Sequence, residues 1–528
     1  MNTKLKYVKG LMVFFFLSGS TALAQYNYYW VSFKDKPLDA NSILKPELFL
    51  SSKSIERRAF QHIQVSMSDV PLNKNYLQQL STLKGIQILQ FSKWLNGVVL
   101  KITDTLQTSL LLHSIASIRF VKSVETIKPK HSKTFNTGAQ SPDYAASRAQ
   151  IQQMGVHCLH EHNFKGQQIT IAVMDVGFIG VNQSAVFDSL MHSSRFKGGY
   201  NFVTGDHDVF KGGSHGTMVL SCLAANIPGK VIGAAPQANY WLFNTENGAS
   251  ETLLEEFNWI RAAEYADSVG VDIITTSLGY TEFDNPQQNH NYASLNGKTA
   301  PMSIAATMAA RKGILVINAA GNEGNGPWKY ISVPADADSI LAVGAVDTTG
   351  RVASFSGYGP TADGRIKPDV SACGWGTWIC DGASNCFYGN GTSFAAPLIA
   401  GAAACYWQQH KTLSNIEILN RIKSKSSFAQ KPNNRIGWGV PNLCMPLTDL
   451  DFTLAWIKEL KGVRIRLSET YYSELHLKIY NTQGQLVYVS ALPISQWVHD
   501  MVLPLASGVY IFEIQSNRGV RTKKVIIP

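Results

Sequence analysis

Short apolar runs alternate with helical spacings through the middle of the chain. Residues 169–174, 240–243 and 314–318 are apolar stretches of strand length, and 271–279 is another that leaves toward a glycine turn. Between them, 252–268 and 300–312 place apolar residues at helical spacing. Two further runs, 218–225 and 395–404, are built of small and apolar residues, the composition of a buried helix. This alternation predicts an α/β unit, a parallel sheet with helices on both faces. Sheets of that kind bind ligands beyond the C-terminal ends of their strands.

The pattern changes at both ends. Residues 25–130 mix strand-like stretches (29–33, 86–91, 97–102 and 121–125) with helical ones (52–61 and 106–115), which predicts a small α+β domain. Residues 131–147 are polar, with Gly138, Ser141 and Pro142, and read as an exposed linker. The α/β unit is assigned to 148–447. From 450 to 528, short alternating runs at 463–467, 474–480, 484–489 and 508–514 predict an all-β sandwich.

A length of 528 residues agrees with several domains. The formal net charge of +10 comes without any run of five like charges, so it reads as scattered surface lysines, not as a nucleic-acid footprint. At the N-terminus, Lys4, Lys6 and Lys9 precede an apolar run at 11–17 and the small-residue site Ala22-Leu23-Ala24. That order reads as a signal peptide over 1–24. The run is well short of the roughly 20 residues a membrane span needs, and no later stretch is long enough, so the reading is an exported chain without a transmembrane segment.

Export permits disulfides among the seven cysteines, and their odd number leaves at least one thiol unpaired or joined to another chain. Cys373, Cys380 and Cys386 cluster ahead of a glycine-rich turn, and one bridge among them would brace it. Cys222 and Cys405 lie in apolar helical runs and read as core. His157, Cys158, His160 and His162 invite a metal reading. Residues that close on a helix point in several directions, however, and no distant cluster completes a coordination shell, so no metal site is assigned.

The candidate chemistry centres on Gly389-Asn390-Gly391-Thr392-Ser393, which delivers a serine to the start of the small-residue helix. A hydroxyl there sits beside the positive end of the helix dipole, but it needs a base, and the base needs an orienting partner. His215, in Ser214-His215-Gly216-Thr217, opens the other small-residue helix, and Asp175 ends the 169–174 strand. A serine, a base and its partner in this set are the components of acyl transfer.

The order Asp175, His215, Ser393, with the neighbours of each, resembles the subtilases, serine peptidases of the subtilisin family, from about 149 to 443. The resemblance implies a subtilisin-like parallel sheet flanked by helices and a catalytic triad of Asp175, His215 and Ser393. It implies Asn322, in Ala319-Ala320-Gly321-Asn322, as the oxyanion donor. It also implies Ser277, Leu278 and Gly279 as the strand that pairs with an extended peptide, with Ala319, Ala320 and Gly321 as the opposite wall. Small walls suggest a bulky apolar side chain in that cleft. No cofactor is required for the chemistry. Many subtilases bind calcium, and the sequence offers no carboxylate cluster that locates a site.

By position, the 25–130 domain resembles a subtilase propeptide, an inhibitor and folding partner cut away within the linker. Leu505-Ala506-Ser507-Gly508-Val509-Tyr510 and the end of the chain resemble a Bacteroidetes type IX secretion sorting domain. The partners implied are protein or peptide substrates, the chain's own propeptide and the secretion machinery, with the product secreted or attached to the cell surface. The rival reading is a catalytically inactive surface binding protein on a subtilase fold.

Overall fold

The computed structural model describes residues 27–36, 43–103, 107–127, 144–248, 251–284, 286–444, 452–457, 460, 462–467, 475–493, 498–516 and 519–528. The expected signal peptide and most of the expected linker lie outside the described residues.

The N-terminal residues form a four-stranded antiparallel sheet in the order Ile86–Ser92, Gly97–Ile102, Asn27–Phe33, Val121–Ile127. All four strands fall where the period-2 pattern puts them. The helix Lys74–Ser81 was not foreseen, because its composition is mostly polar; Asn73 caps it by accepting from the backbone N–H of Asn75 and Tyr76. Between the first strand and that helix stands the helix Ser52–Phe60, with Ser51 as its N-cap.

The central sheet has seven parallel strands in the order Val370–Cys373, Leu341–Val346, Leu315–Ala319, Ile273–Thr276, Thr170–Asp175, Asn239–Asn244, Phe196–Asn201. Apolar strands buried on both faces explain the continuous runs in the sequence. The edge strand Phe196–Asn201, with Gly198 and Gly199, carries no such run and was not foreseen. After Thr170–Asp175 the chain builds to one side, then crosses to the other at Ile273–Thr276. The crevice beyond these two neighbouring strands is the switch point where such sheets bind ligands.

One face of the sheet is covered by the helices His215–Ala224 and Thr392–Gln409, packed in one apolar core. Every residue of Thr392–Gln409 is buried, and small residues make that close approach feasible: a Cβ on Gly401 would come within 2.5 Å of the Ala234 Cβ. The opposite face is covered by Leu253–Val269 and Pro301–Arg311. Leu253–Val269 opens with a Thr252/Glu255 capping box and closes on Gly270 in the left-handed region.

The N-terminal sheet docks on this second face. Trp30, Trp94 and Val99 join its core, and Trp30 stacks on Phe257 at 4.6 Å. The Glu264 carboxylate accepts from Ser92 Oγ and from the backbone N–H of Lys93 and Trp94, at 2.5, 3.1 and 3.0 Å. From the helix Ser52–Phe60, buried Arg58 donates to Asp69 and to Asp267, each at 2.8 Å, and Arg57 pairs with Asp267. Lys312 reaches Asp69 at 2.6 Å.

The C-terminal residues form a three-stranded sheet (Phe452–Ile457, Gly462–Leu467, Val498–Val502) and a four-stranded one (Leu486–Ala491, Leu475–Tyr480, Gly508–Ser516, Gly519–Ile527). Phe452, Ile465, Leu477 and Phe512, drawn from both sheets, share one core, as in a sandwich.

Two disulfides form among the described residues. Cys380–Cys386 closes the hairpin that leads into the serine turn, as the cysteine cluster suggested. Cys158–Cys444 joins positions 286 residues apart, which no local pattern announces. Cys222, Cys373 and Cys405 are free and buried.

Candidate active site

Asp175 is the last residue of its strand and is fully buried. Its Oδ1 accepts from His215 at Nδ1, 2.8 Å away, and from the Val176 N–H at 2.9 Å. The approach depends on Gly216: a Cβ there would come within 2.5 Å of Gly177 O and 2.8 Å of the Asp175 Cβ. Burial disfavours a charged imidazole, but the Asp175 carboxylate and its hydrogen bond outweigh burial, so the His215 pKa is raised above the usual histidine value. A quarter of the His215 side chain remains exposed.

Ser393 stands in the first turn of the Thr392–Gln409 helix, and the ring of its neighbour Phe394 lies 6.0 Å from that of His215. The Ser393 hydroxyl donates to Ser277 O at 3.1 Å, and the Ser277 hydroxyl donates back to Ser393 O at 2.7 Å. This reciprocal pair ties the serine turn to the chain leaving Ile273–Thr276. The strand expected to run to 279 leaves the ladder at Thr276, because Ser277 turns to meet Ser393. Leu278 is half-buried and Gly279 exposed.

Ala319 ends the neighbouring strand, Ala320 and Gly321 follow it, and Asn318 ties this segment to Leu278. Its Nδ2 donates to Leu278 O at 3.1 Å and to Ala319 O at 2.8 Å. Asn322 is exposed, and its Oδ1 accepts from Thr392 N–H and Oγ1 at 2.9 and 3.0 Å. With the amide oxygen engaged, the Nδ2 group is the half left to donate elsewhere. Thr392 also accepts from Gly321 N–H at 3.2 Å. Sequence reasoning missed the parts of Thr392 and Asn318; the threonine beside the serine was the available signal for the first.

The sequence located no carboxylate cluster, and the fold brings one together. Glu246, Glu251 and Glu255 bring ligand oxygens within 4.8 Å of one another. A loop and a helix N-terminus converge there, an arrangement that sequence spacing does not announce. Tyr280, just past Gly279, donates its hydroxyl to Glu246. Burial and then the neighbouring carboxylate of Glu251 hold Glu246 well above the usual range. Burial and then Asp284 push Glu251 up to about 7.

Of the histidines near Cys158, His157 places its Nε2 3.5 Å from the Cys158 sulfur, while the others turn to backbone carbonyls. His160 bonds Ala234 O, His162 bonds Cys158 O, and the Cys158 sulfur is taken by the bridge to Cys444.

A family model described as the subtilase family matches residues 166–439. The peptidase S8 propeptide domain of Bacteroidota matches 28–141, and a secretion system C-terminal sorting domain matches 461–528. Subtilisin NAT of Bacillus subtilis subsp. natto is 31% identical over 294 residues, which is 55% of this chain and 67% of that one. A subtilisin of Bacillus pumilus is 31% identical over 55% of this chain and 93% of its own length. Among solved structures, the epidermin leader peptide processing serine protease of Staphylococcus aureus shares the fold with a TM-score of 0.55 and 18% identity, over 79% of this chain and 97% of that chain. The sorting domain indicates type IX export to the cell surface or the medium. No helix among the described residues is long and apolar enough to cross a membrane.

Proposed function

The chain belongs to the subtilase family of serine-type endopeptidases, and from that premise we propose that it hydrolyses peptide bonds through an acyl-enzyme at Ser393. The observation that carries this reading is the buried Asp175 hydrogen-bonded to the part-exposed His215, set beside the helix start that bears Ser393. In the proposed reaction the Ser393 hydroxyl turns from Ser277 O to His215 Nε2 as a peptide enters. Its oxygen attacks the scissile carbonyl while His215 takes the proton. Asp175 holds the imidazole tautomer and stabilises the imidazolium. The oxyanion is met by Asn322 Nδ2 and the Ser393 backbone N–H. His215 then returns the proton to the leaving amine, and water repeats the sequence to release the acyl group.

The edge Ser277–Leu278–Gly279 pairs with the extended peptide by strand addition, opposite Ala319, Ala320 and Gly321. No step runs through a metal or cofactor; Glu246, Glu251 and Glu255 are the residues that would hold a calcium ion, whose ligands are hard oxygens. The N-terminal domain is the enzyme's own inhibitor until maturation cleavage in the linker. The inactive binding-protein reading is less well supported, because all of Asp175, His215, Ser393 and Asn322 are retained.

The test is a fluorophosphonate probe on the mature protein and on Ser393→Ala, followed by mass mapping. Labelling at Ser393 that is absent in the variant is expected. Folded, propeptide-free protein that takes no label at Ser393 would sink the proposal in favour of the binding-protein reading.

A further inference from the structure

The strands Trp375–Cys380 and Cys386–Asn390 form a hairpin of their own, outside the central sheet. At its base the Gly391 N–H donates to Gly374 O at 2.7 Å, and Ser393 follows two residues later. At its far end Cys380 faces Cys386 in the ladder, and the disulfide joins them there. The turn beyond the bridge, 381–385, is closed by Asp381, whose Oδ1 accepts from the Ala383 and Asn385 N–H groups at 2.9 and 2.8 Å.

This tip rests on the segments that carry the other two members of the candidate triad. Gly382 lies against the chain that follows Asp175: a Cβ on Gly382 would come within 2.4 Å of Ile179 O, and one on Gly180 within 2.7 Å of the Gly382 Cα. The same Ile179 O accepts from Thr217 Oγ1 at 2.8 Å, two residues past His215. The Cys380 N–H donates to Ser221 Oγ at 2.9 Å, on the helix that His215 opens. The hairpin is therefore a strut, seated at its tip on the Asp175 and His215 segments and continuous at its base with Ser393. A two-stranded ribbon on its own is marginally stable. A bridge at the last ladder pair holds the ribbon together at the end where these contacts are made.

The same bridge does little for the stability of the whole chain. The entropy that a disulfide removes from the unfolded state grows with the loop it closes. Cys380 and Cys386 are 6 positions apart, whereas Cys158 and Cys444 are 286 apart. We propose that Cys380–Cys386 is a positioning bridge for the reaction: it fixes Ser393 relative to Asp175 and His215, and without it the serine loses its alignment while the fold is kept. This rests on the endopeptidase reading of the same site.

The experiment measures kcat, KM and Tm on the product matured from the full chain, with rates normalised to sites labelled to completion by fluorophosphonate. The variants are Cys380→Ser with Cys386→Ser, Cys158→Ser with Cys444→Ser, and Gly382→Ala, whose methyl group pushes the tip off Ile179 with the bridge intact. Misplacing a reacting group by about 1 Å costs on the order of 10²-fold, so kcat should fall by about tenfold or more in both hairpin variants. KM should change little, because the walls at 277–279 and 319–321 continue from strands of the central sheet. Tm should fall further in the Cys158/Cys444 variant, with kcat retained. An unchanged kcat in either hairpin variant, or an equal loss in the Cys158/Cys444 variant, overturns the inference while labelling still supports the endopeptidase. Where the Cys380/Cys386 variant does not mature, Gly382→Ala alone decides in the same way. Absence of labelling in wild type fails the endopeptidase reading, and this inference with it.

Discussion

Single residues decide whether the candidate triad can assemble. Gly216 is one, since any side chain there would collide with Gly177 and Asp175 and push His215 away. Asp175 is another, because its carboxylate is what keeps the His215 pKa raised against burial. The base must be neutral to take the serine proton, so kcat/KM should rise with pH through the His215 pKa, above the usual 6.5. Asp175→Asn removes the charge and should move this acid limb to lower pH, while lowering kcat by about 10⁴-fold. A pH–rate profile of both proteins checks the direction. An acid limb that does not move would mean that Asp175 does not set the His215 pKa.

Elements bring together what their own sequences keep apart. The loop after Asn239–Asn244 and the start of Leu253–Val269 place Glu246, Glu251 and Glu255 in one cluster, with Glu255 buried and the other two partly so. Glu251 is raised from 4.5 to about 7, so the folded state holds a proton that the unfolded state has released between those values. Its favourable contribution is complete below the unfolded pKa and is lost as pH rises through about 7. Glu251→Gln in a Ser393→Ala background should therefore gain Tm relative to its parent as pH goes from about 5 to about 8, measured by calorimetry in EDTA. A difference in Tm that ignores pH would show that the carboxyl titrates normally.

At the scale of the whole molecule, the N-terminal domain is fixed to the catalytic one by more than apolar contact. The helix Ser52–Phe60 sends Arg57 and Arg58 to Asp267, and Lys312 answers to Asp69 from the other side. Burial works to raise the Asp69 pKa, but Lys312 and Arg58 outweigh it and hold it at about 2. Removing one partner of such a buried set leaves charge uncompensated, which costs about 3–5 kcal/mol. Arg58→Ala in the full chain should therefore shorten the delay between propeptide cleavage and peptide hydrolysis, normalised to fluorophosphonate-labelled sites. It should also reduce co-elution of the cut propeptide with the catalytic domain. An unchanged delay and unchanged co-elution would show that the ion pairs do not govern release.

Much of this was legible in the chain alone. Continuous apolar runs marked four of the seven parallel strands, Thr170–Asp175, Asn239–Asn244, Ile273–Thr276 and Leu315–Ala319, while Leu341–Val346 and Val370–Cys373 were not read. The glycine-rich edge strand Phe196–Asn201 was also missed, because an edge needs no apolar run on both faces. The small-residue helices, the strand pattern at both ends and the motifs around Asp175, His215 and Ser393 were also written locally. Each records how one segment buries its own face, and burial leaves a period in the sequence.

Tertiary structure alone decided which distant groups meet. Strand order put Asp175 beside Ile273–Thr276, so that Ser277 and Ser393 could exchange hydrogen bonds across 116 positions. It closed Cys158 onto Cys444, gathered the three glutamates, and laid Gly382 against Gly180. None of these leaves a local period, because contact between remote residues depends on how the sheet is ordered and how its loops close above it.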